Sequence, residues 1–418
     1  MINKRICFLQ YSLRGGGAER KVCTLANHFV NNGYDVEIGL FGRNIVAYDL
    51  DNRVKVIFVD RSSYQYRGWA EKAKYVLSKI SSKCFVLAPV LMLEKLAKLI
   101  HVKLPYRFSS TRVKAHYKKK YEYLQPIRAF ILNRPDAVFI TMMVQPYTEI
   151  MRIIDKDMTA GRISNPFIVM ECNNPKPGLD STVTDDEQRN RYYPRASRVL
   201  VMTQEVKAYF RDEIQKKCQV IPNPIRDDLP ASYYGERRKT IVTYCRLNKQ
   251  KNLPLLLEAF ALFHQRFGDY SLEIYGEGEE RETLESLIRT KGLEMAVTIH
   301  PFDPRVHRKI RNCAMFVSSS DWEGFNNSVL EALALGMPVI STDCDYGPRD
   351  MITDHVNGLL VPVGDVQALA DAMSELAEDP ELARNLGEKA AGVRDTYAPE
   401  IIGRQWLDLI EEVRKEFV

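Results

Sequence analysis

The chain has 418 residues, of which 45% are apolar and 27% are charged, and its formal net charge is +5. That length predicts two domains, and the composition excludes an intrinsically disordered chain. No run of about 18 uncharged apolar residues occurs, and the first residues lack a signal-peptide core, so we expect neither a transmembrane helix nor a secretion signal. The eight cysteines are scattered without a C-x-x-C pair, which predicts reduced cytosolic thiols rather than disulfides or a zinc site.

The first elements have the pattern of a βαβ unit. An apolar run at residues 5–10 leads into Gly15, Gly16 and Gly17, and residues 22–30 have the apolar spacing of an amphipathic helix. Glycines let a backbone approach a ligand closely, although a triple glycine also suits a simple tight turn. Further strands of the first half are predicted over residues 36–41, 54–59, 136–141, 167–170, 197–202 and 218–221.

Residues 61–134 interrupt this alternation with a basic insert. The segment holds seventeen Lys or Arg side chains against three Glu, and its apolar residues follow helical spacing. Basic amphipathic helices with interleaved aromatic side chains suit a membrane interface, which is the partner we favour for this segment. The alternatives are a helical hairpin with a solvated basic face and, last, nucleic acid, for which no nucleic-acid fold motif is present.

Two loops after predicted strands carry polar side chains. Gln145 follows the strand at residues 136–141, and Asn173 follows the strand at residues 167–170. Carboxyl ends of parallel strands face the ligand crevice of such a sheet, so we expect both loops to border that crevice. Proline and polar residues then follow residue 221, and we place the domain boundary near residues 225–237.

The second half alternates regularly between strands and helices. Its loops place Arg246 and Lys251 after the first strand, Gly276 after the second and Pro301 after the third. Arg can offer phosphate a planar fork and Lys a point charge, although Lys249 and Lys251 taken alone would be interpreted as solvated loop charges. Strands of this half are predicted over residues 240–244, 272–275, 297–299, 314–317, 337–341 and 358–361.

The stretch from Phe316 to Glu331 is the most informative of the chain. A short apolar run ends in a polar loop that carries Glu323, and a helix with Glu331 follows. Amides at a helix N-terminus favour an anion such as diphosphate, and a carboxylate one turn further can accept hydrogen bonds from two ribose hydroxyls. One bend could therefore hold ribose, diphosphate and sugar.

This stretch also carries a family resemblance. The sequence E-G-F-N-N-S-V-L-E-A-L-A-L-G-M-P-V-I-S-T-D, from Glu323 to Asp343, resembles the donor site of retaining nucleotide-sugar glycosyltransferases of family 4. The likeness continues through Gly347, Pro348 and Arg349 to residues 358–365, and G-G-A-E-R at residues 16–20 resembles the family's first loop. The resemblance implies the α/β GT-B fold, with two facing Rossmann-like domains.

The resemblance also implies a division of the chain and a role for its residues. Residues 1–225 would bind the acceptor and include the helical basic insert at about 61–134, residues 237–396 would bind the nucleotide sugar, and a helix at residues 397–418 would cross back. The implied catalytic residues are Glu323, Arg246 and Lys251. The implied donor-binding residues are Gly16, Gly17, Arg246, Lys251, Gly276, Pro301, Gly324, Phe325, Asn326, Asn327 and Glu331. The acceptor-side candidates are Arg20, Gln145 and Asn173, the last two in loops where family members often carry histidine.

The chemistry implied is transfer of a hexose or N-acetylhexosamine, with retention, from a nucleoside diphosphate sugar to a glycan hydroxyl. Resemblance to bacterial capsule, O-antigen and lipid-linked glycan enzymes favours a UDP donor and a lipid-linked acceptor. We expect no metal and no cofactor, because Asp343 and Asp345 lie in the family's T-D-C segment and not in a metal-binding D-x-D motif. The basic insert would hold the enzyme at the cytoplasmic face of the membrane.

Two other functions fit parts of the pattern. A nucleotide-sugar epimerase or phosphorylase of the same architecture would turn over the donor without a glycan acceptor. A catalytically silent membrane scaffold would have no chemical need for the four charged residues Glu323, Glu331, Arg246 and Lys251. Its function in the cell would not change when they are replaced.

Overall fold

The computed structural model of the chain describes residues 4–13, 17–42, 46, 48–59, 125–176, 178–179 and 181–417. They form two parallel sheets whose strand orders are β3-β2-β1-β4-β5-β6-β7 and β10-β9-β8-β11-β12-β13. The strands of the first sheet are β1 (Arg5–Gln10), β2 (Asp35–Leu40), β3 (Lys55–Phe58), β4 (Val138–Met142), β5 (Phe167–Met170), β6 (Arg198–Val201) and β7 (Cys218–Val220). Those of the second are β8 (Arg238–Tyr244), β9 (Ser271–Tyr275), β10 (Val297–His300), β11 (Cys313–Ser318), β12 (Val339–Thr342) and β13 (Leu359–Val361).

Helices cover both faces of these sheets, as parallel sheets require. The α-helices of the described first half are α1 (Gly17–Asn31), α2 (Gln125–Leu132), α3 (Val144–Thr159), α4 (Val183–Tyr192), α5 (Gln204–Tyr209) and α6 (Asp212–Gln215). Those that follow are α7 (Leu253–Arg266), α8 (Arg281–Thr290), α9 (Val306–Ile310), α10 (Asn327–Ala334), α11 (Pro348–Met351), α12 (Val366–Glu378), α13 (Pro380–Ala390), α14 (Val393–Tyr397) and α15 (Pro399–Glu416).

Strand β1 shows why these segments read as continuous apolar runs. Ile6 and Phe8 pack on one face in a cluster with α1 and α15, whereas Cys7 and Leu9 pack on the other face with α2 and α3. Both faces of the strand are thus buried, so the residues that point to one face and those that point to the other are all apolar. The thirteen predicted strands are all present, with ends that differ by at most two residues from the prediction.

Residues 221–237 connect the sheets without a helix or a strand, and the predicted boundary lies inside this segment. Helix α15 lies against α1 of the first half. Trp406 is fully buried with its ring centroid 6.4 Å from that of Phe29, and Arg414 donates a 2.6 Å hydrogen bond to the carbonyl of Arg5. Gly403 allows this approach, because a Cβ there would lie 2.3 Å from the ring of His28.

The basic insert lies almost entirely outside the described residues, which include only α2 and its neighbours from that segment. The preference for a membrane surface at residues 61–134 therefore stays a prediction. In the described part of the chain, no helix is both long enough and apolar enough to cross a bilayer.

Candidate active site

The carboxyl ends of the two sheets meet at a cleft. A Cβ added to Gly324 would lie 3.0 Å from the carbonyl oxygen of Cys172, and one added to Gly17 would lie 3.1 Å from Nδ2 of Asn327. Glycine at these positions lets the loop before α10 reach the end of β5, and lets the start of α1 face the start of α10. The two predicted halves of the site are thus adjacent.

Helix α10 begins as the sequence predicts, after a polar loop. Asn326 is its N-cap in the left-handed region, at φ 61°, and its side chain accepts from the amide of Val329. Its Nδ2 donates to the hydroxyl of Ser318 at 3.0 Å, which fixes the cap to the end of β11. Among the described residues, the amides of Gly324, Phe325, Asn326 and Asn327 have no hydrogen-bond acceptor. Four unpaired N–H groups at a helix N-terminus are suited to an anion.

Glu323 and Lys251 are brought into direct contact. Lys251 Nζ donates to Glu323 Oε1 at 2.5 Å, and the Ser320 hydroxyl donates to the same oxygen at 2.7 Å. Burial by itself would lower the pKa of Lys251, but the neighbouring Glu323 carboxylate leaves that pKa raised. The ammonium therefore stays charged, and two of its three N–H groups remain for other acceptors.

Glu331 is a buried carboxylate, 4% exposed, whose two oxygens both accept hydrogen bonds. Arg20 Nη2 donates to Oε1 at 2.7 Å, while His307 Nε2 lies 2.8 Å and the Tyr244 hydroxyl 3.2 Å from Oε2. Burial raises the pKa of Glu331, but Arg20 and His307 outweigh it and hold that pKa at about 2. The carboxylate is consequently ionised at neutral pH.

Sequence reasoning placed Arg20 on the acceptor side, whereas its guanidinium pairs with Glu331 in this structure. It missed Tyr244 and His307 altogether. Tyr244 ends β8, so the rule that strand ends face the crevice was a usable signal for it. His307 lies on the short helix α9, and nothing in its neighbourhood along the chain indicates that it lies beside Glu331.

Arg246, Gly276 and Pro301 follow the ends of the adjacent strands β8, β9 and β10. The Arg246 side chain is exposed and forms no ion pair with any described residue. A Cβ on Gly276 would lie 1.9 Å from the carbonyl oxygen of Cys245, so only glycine lets these loops touch. Pro301 is exposed beyond β10. The three residues thus line one edge of the second sheet.

The remaining candidates belong to the first half. Asn173 is half-buried with its backbone against Gly324, whereas Gln145 is exposed and donates to Asp185 at 3.3 Å. Gly16 lies outside the described residues. Asp343 and Asp345 pair with Arg349 and Lys176 respectively, and no group of three or more possible metal ligands occurs among the described side chains.

Residues 227–393 match the family described as "Glycosyl transferases group 1". This part of the chain is a group 1 glycosyl transferase domain. It includes the helix α10 loop, Arg246, Lys251 and Glu331.

Relatives of this chain include an exopolysaccharide phosphotransferase of Streptomyces coelicolor, 32% identical over 53% of this chain and 24% of that protein. Another is the N-acetylgalactosamine-N,N'-diacetylbacillosaminyl-diphospho-undecaprenol 4-alpha-N-acetylgalactosaminyltransferase of Campylobacter jejuni, 28% identical over 62% of this chain and 69% of that enzyme. The chain thus spans about a quarter of the length of the first relative.

A solved structure with a similar fold is a mutant TarM of S. aureus in complex with fondaparinux, alpha-GlcNAc-glycerol and UDP. It superposes with a TM-score of 0.71 over 97% of this chain and 99% of that one, at 16% identity. The expected GT-B fold with two Rossmann-like parallel sheets is confirmed.

Proposed function

We propose that the protein is a retaining glycosyltransferase that moves a hexose or N-acetylhexosamine from a UDP-sugar to a hydroxyl of a glycan acceptor. The observation that carries the proposal is the charged pair of Lys251 and Glu323 beside the four unpaired amides that precede and begin α10. That arrangement offers a cation and helix-end dipoles to a diphosphate, and a carboxylate to sugar hydroxyls.

The chemical step would break the bond between sugar C1 and the diphosphate oxygen and form one between C1 and the acceptor oxygen. Positive charge builds at C1 while negative charge builds on the leaving diphosphate. Lys251, Arg246 and the amides at residues 324–327 would stabilise that negative charge, and groups fixed before the reaction cost no reorganisation. The leaving phosphate would take the acceptor's proton on the same face, so the step needs neither a protein nucleophile nor a metal.

Glu331 would accept hydrogen bonds from the ribose hydroxyls of the donor. Each carboxylate oxygen has two acceptor sites, and its ionised state suits that role. Arg20 would then share Glu331 with the ribose or turn toward the phosphates. Asn173, beside Gly324, and Gln145 would face the acceptor.

The comparisons support the class of substrates. The name of the Campylobacter relative specifies an acceptor on diphospho-undecaprenol, and the TarM complex contains UDP. For this chain we propose a lipid-linked acceptor in cell-surface polysaccharide biosynthesis, no nucleic-acid partner, and peripheral binding to the cytoplasmic face of the membrane through residues 61–134.

Nucleotide binding is the first test. Thermal unfolding would be followed with UDP, GDP or ADP, because a ligand at 100 times its dissociation constant adds about 2.7 kcal/mol to a two-state unit. We expect UDP alone to stabilise the wild type and Glu331→Ala to weaken that effect, whereas the exposed Lys249→Ala should not. Stabilisation by none of the three would overturn the proposal in favour of a silent scaffold.

Turnover and membrane binding are tested separately. UDP release from a panel of UDP-sugars, with and without lipid-linked glycans, should require the acceptor. Complete conversion of the donor without an acceptor would favour an epimerase.

The full chain should sediment with anionic vesicles at low salt, and much less with neutral ones. Equal binding to both would exclude the membrane role of the basic insert.

A further inference from the structure

The loop from Asp343 to Gly347 connects β12 to α11 and reaches across the cleft. The Tyr346 side chain is 4% exposed and lies among the buried residues on the α3 face of the first sheet. Of the described residues beyond β7, it alone belongs to that cluster, whose members include Val206 and Phe210. An aromatic side chain of the glycosyl transferase domain is thus inserted into the packing of the other half.

Polar contacts flank this insertion on both sides. Lys176, in the loop after β5, pairs with Asp345 and lies 5.3 Å from the centroid of the Tyr346 ring. On the other side, Glu205 of α5 accepts from the Tyr346 amide at 3.4 Å and lies 3.5 Å from Arg349. Two charged residues of the first half therefore hold the same loop of the second half.

The same loop is pressed against the candidate donor site. A Cβ on Gly347 would lie 2.4 Å from the carbonyl oxygen of Phe325, and the Asp345 carbonyl accepts from the amide of Glu323 at 3.4 Å. Tyr346 has a φ of 65°, a left-handed conformation that is rare for an aromatic residue and persists only where its surroundings hold it. The ring in the first half and the backbone beside Glu323 are thus mechanically connected.

We propose that Tyr346 is a positioning residue that latches the segment Glu323–Phe325 against the first half. Closure of the cleft and alignment of Glu323 and Gly324 with the acceptor loop at Asn173 then occur together. This inference rests on the proposed transferase function. The latch touches neither nucleotide nor sugar, so its loss should affect transfer between the halves far more than binding of the nucleotide to the second half.

The test uses the full chain as wild type, Tyr346→Phe, Tyr346→Ala and Tyr346→Gly. With a UDP-sugar and acceptor that the wild type turns over, we expect Tyr346→Ala to lower kcat at least tenfold while the Kd for UDP changes less than threefold. Tyr346→Phe keeps the ring, whose hydroxyl donates to no described group, and should retain kcat within about twofold. Tyr346→Gly accepts the positive φ without strain but lacks the ring, so it should lose as much activity as Tyr346→Ala.

Several outcomes would overturn the latch. One is a kcat for Tyr346→Ala equal to wild type; another is full activity of Tyr346→Gly, which would assign the effect to backbone strain. If Tyr346→Ala does not fold, the double variant Lys176→Met and Glu205→Gln removes the charged contacts of the loop and leaves the Tyr346 ring in place. It should lower kcat two- to fivefold without changing the Kd for UDP. Unchanged kcat in that pair would equally refute the proposal. If the wild type binds no UDP, the transferase function itself fails, which is distinguishable from failure of the latch.

Discussion

A carboxylate at the carboxyl edge of each sheet pairs with a cation, but the two pairs lie in different surroundings. Glu171 follows β5 and pairs with Arg189 at 2.6 Å, with both side chains fully buried. Glu323 follows β11 and pairs with Lys251 at 2.5 Å, with side chains that are 6% and 16% exposed. The first pair is enclosed by protein, whereas the second reaches the cleft.

The partners of each pair explain the difference. Arg189 also donates to the Pro175 carbonyl and the Ser181 hydroxyl, while Tyr193 donates to Glu171, so this network fastens the loop that carries Asn173. Lys251 donates to the Glu323 carboxylate with one N–H group, so two of its three N–H groups are left for a ligand. The guanidinium fork suits a fixed structural junction, and the compact ammonium suits a mobile phosphate. The edge of the first sheet holds its loop in place, and the edge of the second sheet is the proposed donor site.

The largest effect should come from breaking the enclosed pair. Arg189→Met leaves the Glu171 carboxylate buried without its cation, which should lower the free energy of unfolding by about 3–5 kcal/mol. Denaturant titration measures this loss. Adding Glu171→Leu to Arg189→Met should recover part of it, since no lone charge then remains. A loss under about 1 kcal/mol for the single change would refute this interpretation of the pair.

The pair of Lys251 and Glu323 at the cleft should affect the rate of transfer more than the stability of the fold. Lys251→Met should lower kcat/KM about 10²- to 10³-fold, because a fixed charge at the leaving group is removed. Its stability should fall less than that of Arg189→Met, since Glu323 keeps Ser320 and borders the cleft. The matched control is Lys249→Met, an exposed lysine two residues away, which should keep wild-type rates. Equal losses in both variants would show that general loop charge, and not Lys251, is responsible.

Glu331 allows a test by pH of the proposed donor site at the edge of the second sheet. Its pKa is lowered from an ordinary 4.5 to about 2, so it contributes stability that is present above pH 4.5 and is lost as the pH falls toward 2. Between pH 6 and pH 3 this contribution should fall by about 2 kcal/mol. Denaturant titrations of wild type and Glu331→Gln at both pH values isolate it, because other groups titrate in both proteins. A difference that does not change with pH would exclude the Arg20 and His307 interactions as its cause.

Gln250 should give the smallest effect. Its Nε2 lies 3.4 Å from Glu323 Oε2, at the long limit of a hydrogen bond, so Gln250→Ala should lower kcat/KM by less than about fivefold. Steady-state kinetics of Gln250→Ala and Lys251→Met, measured side by side, rank these two of the three side chains that donate to Glu323. A larger loss of kcat/KM for Gln250→Ala than for Lys251→Met would contradict the proposal that the Lys251–Glu323 pair contributes most to the rate.

Much of this arrangement could be predicted from the sequence. Parallel strands that are buried on both faces appear as continuous apolar runs, and the polar loop before helix α10 indicates where that helix begins. The spacing of Arg246 and Lys251 became informative only through the family resemblance. The partners of Glu331 could not be found, since Arg20 is 311 residues away and Tyr244 is 87 away. Tyr346 looks like an ordinary loop residue in the sequence, and only the folded chain shows its ring inside the other half.

The docking of α15 has a consequence for synthesis of the protein. Ile402, Trp406, Leu409 and Val413 fill the core around α1, yet they follow the last strand of the first sheet by about 180 residues. At ribosomal rates of about 5–20 residues per second, roughly 10 to 35 seconds pass before α15 can cover that face. During this interval the apolar side of α1 is open to water and to chaperones. The half of the molecule that leaves the ribosome first is therefore completed after the half that follows it.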